Sequence, residues 1–186
     1  MYMFDIETLG VESNCVVLSA AIIYCDPKQQ PTYEQLIDNA LFVKFDSKYQ
    51  IETMNRTIDK GTLEWWGKQH DYVKKISLKP HPDDLRPEEG IQLLKDYIAK
   101  YGEHTIWARG SLDQMAIDSL AKQLDIDAII MYNKWRDVRT AVDILCETAK
   151  DGYCEVNHPN FDRAMVVKHH PVHDCALDLM MLMYGK

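Results

Sequence analysis

Two acidic residues interrupt the apolar segment at the start of the chain. Asp5 and Glu7 lie within residues 1–10, whose other members are mostly apolar and typical of a buried strand. Because alternate side chains of a strand share a face, the two acids project together while Phe4 and Ile6 point the other way. Paired carboxylates in an apolar element raise each other's pKa and lose hydration, so a divalent cation is their simplest partner. The alternative is a strand end whose acids face water.

Composition places the chain among soluble globular proteins. Its 186 residues are expected to form a single domain over 1–186, with 46% hydrophobic and 27% charged residues. No apolar run reaches the roughly 20 residues that span a bilayer, and the first residues lack the basic segment, apolar core and cleavage site typical of a secretory signal. The five cysteines are scattered and odd in number, as expected of thiols in a reducing compartment. We therefore expect a cytoplasmic protein without membrane contact.

The net charge of −8 argues against a protein that grips long duplexes through many phosphates. It is compatible with an enzyme that acts on nucleic acids. An active site that collects carboxylates for metal ions is acidic by construction, and the bound cations reverse the local charge. Substrate contact should then be short and directed at strand ends.

Hydrophobic periodicity predicts an α/β domain with a mixed sheet. Three consecutive strands that suggest a meander, and two later ones, are expected at 1–10, 16–24, 40–45, 104–108 and 129–135. Helices are expected at 57–69, 88–101, 112–124, 138–148 and 174–184. The polar segment 150–171 is expected to be a loop.

Three further residues have types suited to a metal-dependent site. Asp113 lies at the start of a predicted helix, where an acid also commonly offsets the helix dipole. Asp178 interrupts an apolar stretch of the last helix, although it would share an exposed stripe with Asp174, four residues earlier. His173 lies five residues before Asp178, at the junction of loop and helix, where a cap or surface role is the alternative.

Together these residues resemble the three motifs of the DEDDh exonucleases: Asp-Ile-Glu-Thr at 5–8, Asp113, and His173-x-x-x-x-Asp178. The resemblance spans nearly the whole chain in the family's order. It is greatest to the phage exonuclease A type and to mycobacterial-type 3′-to-5′ exoribonucleases, through Trp65-Trp66-x-x-Gln69, Trp107-Ala108-Arg109-Gly110-Ser111 and Trp135-Arg136-Asp137-Val138-Arg139-Thr140. Arg109 and Leu112 stand where many members have Asn and an aromatic residue, which leaves Asp118 as an alternative to Asp113.

The resemblance implies a fold, a reaction and a cofactor. The fold is ribonuclease-H-like, with a five-stranded mixed sheet flanked by helices and an antiparallel second strand. The reaction is hydrolysis from the 3′ end of single-stranded DNA or RNA, with His173 as general base. Two Mg²⁺ or Mn²⁺ ions would activate water and neutralise the leaving oxygen. The oxygen ligands that such hard cations prefer would come from Asp5, Glu7, Asp113 and Asp178.

The same resemblance suggests which residues contact substrate. Thr8 and Leu9 would contact the 3′-terminal nucleotide, although Leu9 suits a packed strand end equally well. One of the adjacent Trp65 and Trp66, here taken as Trp66, would stack on a base, but both rings also suit a core. Arg109 would bind substrate, and the cations that would contact phosphate or solvent are Lys134, Arg136 and Arg139. The expected partners are single-stranded 3′ ends, and a homodimer is possible.

Two other functions compete with the nuclease. A zinc-stabilised binding module is suggested by Cys154-x-x-x-His158 and His169-His170-x-x-His173-x-Cys175. That spacing is not a common zinc motif, and a zinc module leaves the acids unexplained. A catalytically silent interaction domain is disfavoured because all five candidate catalytic positions hold competent residues.

Overall fold

The computed structural model describes residues 1–149 and 151–186 and contains one mixed five-stranded sheet. The strands are β1 (Tyr2–Thr8), β2 (Val17–Tyr24), β3 (Ala40–Lys44), β4 (Ile106–Ala108) and β5 (Trp135–Asp137). Their order is β3-β2-β1-β4-β5. β2 is antiparallel to β1 and β3, whereas β4 and β5 continue the sheet in parallel with β1. This topology confirms the predicted ribonuclease-H-like α/β fold.

Helices cover both faces of the sheet. They are α1 (Tyr33–Asp38), α2 (Ser47–Glu52), α3 (Lys60–Gly67), α4 (Asp71–Val73, continued by a π-helical turn at Lys74–Leu78), α5 (Pro87–Tyr101), α6 (Leu112–Gln123), α7 (Val138–Leu145) and α8 (Pro171–Tyr184). One core lies between the sheet and α5 and α6, and a second lies between the sheet and α1, α7 and α8. Within 1–149 and 151–186, no helix combines the length and apolarity that crossing a bilayer requires.

The side chains of β1 alternate as the sequence predicts. Phe4 and Ile6 belong to the core beneath α5 and α6, whereas Met3 belongs to the core beneath α8. Asp5 and Glu7 share the face of Met3. The strand therefore holds its two acids against α8.

Several local predictions differ from the structure, among them the fifth strand and the first helix. The fifth strand was expected at 129–135, but β5 begins only at Trp135, because its parallel partner β4 is itself three residues long. Residues before it form a 3₁₀ turn at Tyr132–Lys134. The short helix α1 lies in a polar stretch that suggested none. A capping box between Thr32 and Gln35 starts it, and burial of Tyr33 and Leu36 holds it in place.

The boundaries of α8 determine what it brings to the site. The helix begins at Pro171, three residues before the predicted start, since proline is well suited to the first turn. Of the predicted loop 150–171, residue 150 lies outside the described residues. The remainder up to residue 170 contains one 3₁₀ turn, Arg163–Met165, and otherwise runs without helix or strand.

Candidate active site

Five carboxylates converge on one cleft of about 600 Å³ beside β1. Asp5 and Glu7 come from β1, and Asp113 comes from the first turn of α6. Asp174 and Asp178 come from successive turns of α8. Three elements that are distant in sequence thus bring acids together at one point of the fold.

Asp113 is held in the cleft by the strand that carries the first two acids. Its Oδ1 accepts a hydrogen bond of 3.0 Å from the backbone N–H of Ile6. The chain turns from β4 into α6 through Gly110, whose φ of 91° lies in the region that glycine favours. The N–H of Gly110 donates to Asp137 Oδ2 at 2.8 Å, which ties this turn to the end of β5. Asp118, the alternative to Asp113, is absent from the cleft and contacts Gln114 instead.

Asp178 already has a cationic partner within the protein. The Arg109 guanidinium donates to it through Nη2 at 2.5 Å and through Nε at 3.2 Å. Both side chains are mostly buried. Burial raises the pKa of Asp178, but Arg109 opposes the shift. Among the described residues, Asp178 is the cleft acid that makes an ion pair.

Asp174 lies beside a histidine and the second acid of β1. One ligand atom each from Glu7, His169 and Asp174 lies within 4.8 Å of the other two. The Oδ2 of Asp174 also accepts a 2.9 Å hydrogen bond from the backbone N–H of His169, which fixes its orientation. These three residues form a compact cluster with metal-ligand chemistry.

Of the two candidate histidines, the structure brings His169 into the cleft and leaves His173 outside it. The Nδ1 of His173 lies 2.8 Å from the hydroxyl of Tyr33, which does not line the cleft either. Burial and the neighbouring Lys168 lower the pKa of His169, so its imidazole is neutral near pH 7. The ring of Trp65 contacts His169 edge-on at 4.7 Å between centroids.

Ionisation is strongly disfavoured for the cleft acids that make no ion pair among the described residues. Burial first, and neighbouring carboxylates second, raise the pKa values of Asp5 and Glu7 well above the ordinary range. Burial also raises the pKa of Asp113 to about 7, and burial together with Asp178 raises that of Asp174 to about 7. In the described part of the chain, no hydrogen-bond donor contacts the side chain of Asp5 or Glu7. Uncompensated oxygen ligands at this density fit a hard divalent cation.

Comparison with known proteins identifies the family. The family model of the 3′-5′ exoribonuclease Rv2179c-like domain matches residues 1–184. The chain belongs to this family. It is also 28% identical over 207 residues to an exodeoxyribonuclease of Enterobacteria phage T4, an alignment that covers 99% of the chain and 88% of the phage enzyme. These matches confirm the predicted resemblance and the assignment as a 3′-to-5′ exonuclease.

Three of the residues predicted to touch substrate are packed inside the exonuclease. Trp66 is 0% exposed, and its Nε1 donates to the backbone oxygen of Thr8 at 2.9 Å. Leu9 packs with Trp66 and Val73 in a small core cluster, and the hydroxyl of Thr8 donates to the backbone oxygen of Gly10. Trp66 therefore offers no surface on which a base can stack, contrary to the prediction.

Arg109 does line the cleft, together with other cations. Three further cations line the cleft and form what we call its basic wall: Arg139, Arg163 and Lys168. None of the three makes an ion pair among residues 1–149 and 151–186. The cleft of the exonuclease is thus lined both by a cluster of carboxylates and by the basic wall. Of the cations suggested by sequence, Lys134 and Arg136 lie outside it.

Of the zinc ligands suggested by sequence, the rings of His170 and His173 are neighbours, 4.8 Å apart between centroids, but no three of these ligands come together among the described residues. Cys154 is buried near Cys146, and the ring of His158 packs on Tyr184 at 4.7 Å between centroids. In the part of the chain that the structure describes, the one close group of metal-ligand residues is Glu7, His169 and Asp174. The geometry therefore does not favour the zinc module.

Sequence reasoning did not assign His169 and Asp174 to the nuclease site, although a signal for them exists. His169-x-x-x-x-Asp174 has the same spacing as His173-x-x-x-x-Asp178, four residues earlier in the chain. Both pairs fit the third motif of the exonucleases by spacing alone. The three-dimensional neighbourhood, with Glu7 beside one pair and Arg109 beside the other, distinguishes them.

Proposed function

We propose that this exonuclease removes nucleotides from the 3′ end of single-stranded nucleic acid with two Mg²⁺ or Mn²⁺ ions. Asp5, Glu7, Asp113 and Asp174 would hold the ions, and His169 would act as general base. The observation that carries the proposal is the close group of Glu7, His169 and Asp174 beside the buried, uncompensated Asp5. When bound, the ions would activate the attacking water and stabilise charge on the leaving oxygen.

The metal ligands proposed here differ in one position from those suggested by sequence. Asp174 replaces Asp178 as a proposed ligand, because Asp178 already forms an ion pair with Arg109. Asp5 interacts electrostatically with every other acid of the cleft, which supports a central position among the ligands. Asp178 instead holds the Arg109 guanidinium at the edge of the site.

His169 replaces His173 as the proposed base for a similar reason. The neutral imidazole of His169 can accept a proton from water near pH 7, and its ring lies in the cleft beside Glu7 and Asp174. Its backbone N–H fixes Asp174, so base and ligand are positioned by one short segment. His173 is engaged by Tyr33 outside the cleft.

The basic wall is an argument for a single-stranded nucleic acid as the substrate. Arg139, Arg163 and Lys168 offer unpaired cations to a few phosphates near the scissile bond. Because the cleft provides few such contacts, recognition should concentrate on the last nucleotides of a single strand. The matched family is named for RNA and the phage relative for DNA, so we propose a single-stranded substrate of either sugar.

The polarity of degradation tests the proposal. With Mg²⁺ or Mn²⁺, a 5′-labelled single strand should shorten progressively to a ladder, whereas a 3′-labelled strand should release its label as a mononucleotide at once. A 3′-terminal phosphate should block the reaction. Matched RNA and DNA strands report the sugar preference in the same assay. Cleavage of a circular single strand, which has no end, would contradict the proposal.

A further inference from the structure

One aromatic side chain at the cleft has no role in the proposed hydrolysis. Tyr153 lines the cleft and is 42% exposed. Apart from His169, it is the one aromatic ring among the cleft-lining residues of the described chain. Trp66, which the sequence suggested for base contact, is fully buried. The cleft therefore has a single ring with free surface that takes no part in proton transfer.

The backbone before Tyr153 is fixed against α7. Gly152 has a φ of 74°, and a Cβ at this position would lie 2.3 Å from Cα of Arg139, closer than any side chain allows. Its N–H donates to Asp143 Oδ1 at 3.0 Å. Its carbonyl accepts from Arg109 Nη2 at 3.1 Å, and the carbonyl of Asp151 accepts from Arg109 Nη1 at 3.2 Å. Asp143 lies on α7, and Arg109 is held by its ion pair with Asp178. These hydrogen bonds therefore fix the backbone immediately before Tyr153.

Arg109 also covers one face of the Tyr153 ring. Its guanidinium carbon lies 4.1 Å from the ring centroid, a cation–π contact. Because Asp178 holds the same guanidinium with a 2.5 Å hydrogen bond, the stack of Arg109 on Tyr153 is itself anchored to α8. An aromatic ring supported on one face and partly exposed to a nucleic-acid cleft is suited to stack a base on its other face.

We propose that Tyr153 is the platform on which a base near the 3′ end of the substrate stacks, with Arg109 and Asp178 holding the ring in position. This inference rests on the proposed function and names the recognition element of that site. Stacking uses the π-face that every base possesses, so the platform would grip the terminal nucleotides without selecting their sequence. It also accounts for the Arg109–Asp178 ion pair, the one ion pair between cleft-lining residues within 1–149 and 151–186.

A double-mutant cycle tests the proposal by combining removal of the Tyr153 ring with removal of one base from the substrate. Affinities are measured by fluorescence anisotropy with Mg²⁺ in a Glu7→Gln background, which removes a proposed metal ligand and is expected to stop hydrolysis. The strands are intact or lack one base at each of the last three positions in turn. The protein variants are Tyr153→Ala, Tyr153→Phe and, as a matched control on a tyrosine outside the cleft that is 76% exposed, Tyr132→Ala.

Tyr153→Ala is expected to weaken binding of the intact strand by about fivefold to about 150-fold, the range found for loss of one stacked base. At one abasic position the loss should disappear, because the strand no longer carries the base that the ring would contact. Tyr153→Phe, which keeps the ring, and Tyr132→Ala should bind all strands as the parent does. Melting temperatures of the variants confirm that the fold persists.

If Tyr153→Ala weakened the binding of the intact strand and of every abasic strand equally, the proposal that Tyr153 stacks a base would be overturned. The same holds if Tyr153→Ala weakened binding of no strand. The proposed function has its own test in the hydrolysis assay with wild-type protein. If the wild type degrades strands but the ring and base effects are additive, only the stacking inference fails. If the wild type degrades no strand, the proposed function fails, and the double-mutant cycle still decides whether Tyr153 contacts a base.

Discussion

Asp5→Asn is expected to lower hydrolysis by at least about a thousandfold, the consequence of losing several kcal/mol of charge stabilisation by bound metal. The same change should raise the melting temperature in EDTA, because it removes one charge from a group of buried, mutually repelling carboxylates. A ligand substitution that inactivates an enzyme while stabilising it is difficult to attribute to unfolding. Single-turnover hydrolysis of a 5′-labelled strand and thermal unfolding measure the two effects.

Asp118→Asn provides the matched control. Asp118 is a partly buried carboxyl with a pKa that burial raises, but it lies on α6 away from the cleft. Its replacement should leave hydrolysis within about twofold of the wild type, because a substitution away from the site touches no metal ligand. Wild-type activity in purified Asp5→Asn would exclude the metal centre, and loss of activity in both variants would point to a general effect on the fold.

His169→Ala is expected to lower turnover by about two to four orders of magnitude, the range for loss of a general base. His173→Ala should change turnover only a fewfold, since that ring lies outside the cleft and bonds to Tyr33. The two histidines are four residues apart on one segment, so each variant controls for the other. Turnover at saturating strand concentration, with Mn²⁺ affinity measured alongside, separates the loss of a base from the loss of a ligand.

The opposite ranking of the two histidines would restore the assignment of His173 and Asp178. If His169→Ala loses Mn²⁺ affinity in proportion to turnover, His169 is a ligand and the base lies elsewhere. The expected pattern is a collapsed rate with Mn²⁺ affinity largely retained.

The parts of the site that follow local periodicity were predictable from sequence. Alternation along β1 places Asp5 and Glu7 on one face, and the strand-to-helix turn after β4 places Asp113 at the start of α6. The mixed sheet likewise follows from the order of apolar runs. Each of these inferences needs only the geometry of one element or its immediate neighbours.

The choice between the two His-x-x-x-x-Asp pairs was not accessible in this way. Both pairs have the same spacing, so the choice depends on where α8 begins and on which residues face each acid. The partner of Asp178 is Arg109, 69 residues away in sequence, and that contact is visible only in three dimensions. Burial of Trp66 rather than Trp65 is similarly a tertiary result, with Trp65 37% exposed on the neighbouring face of α3.

The central claim is that the buried carboxylates form a divalent metal centre, and protein stability measures it directly. A carboxyl with a higher pKa in the folded than in the unfolded protein keeps its proton where the unfolded chain has lost it, so stability falls as pH rises through that interval. For Asp113 and Asp174 the interval runs from the ordinary value of 3.8 to about 7. The lowered pKa of His170, about 4, acts in the opposite sense, but Asp5 and Glu7 add to the effect of Asp113 and Asp174. Without metal, the four carboxyls should therefore make the protein less stable at pH 8 than at pH 5.

The deciding measurement is the melting temperature at pH 5 and pH 8, in EDTA and in Mg²⁺ or Mn²⁺. In EDTA we expect a decrease of at least about 3 °C from pH 5 to pH 8, equivalent to roughly 1 kcal/mol for a chain of this size. Metal at pH 8 should restore the lost stability, by about 2.7 kcal/mol at a hundredfold excess over the dissociation constant. A melting temperature that is the same at both pH values and does not respond to either metal would contradict the account.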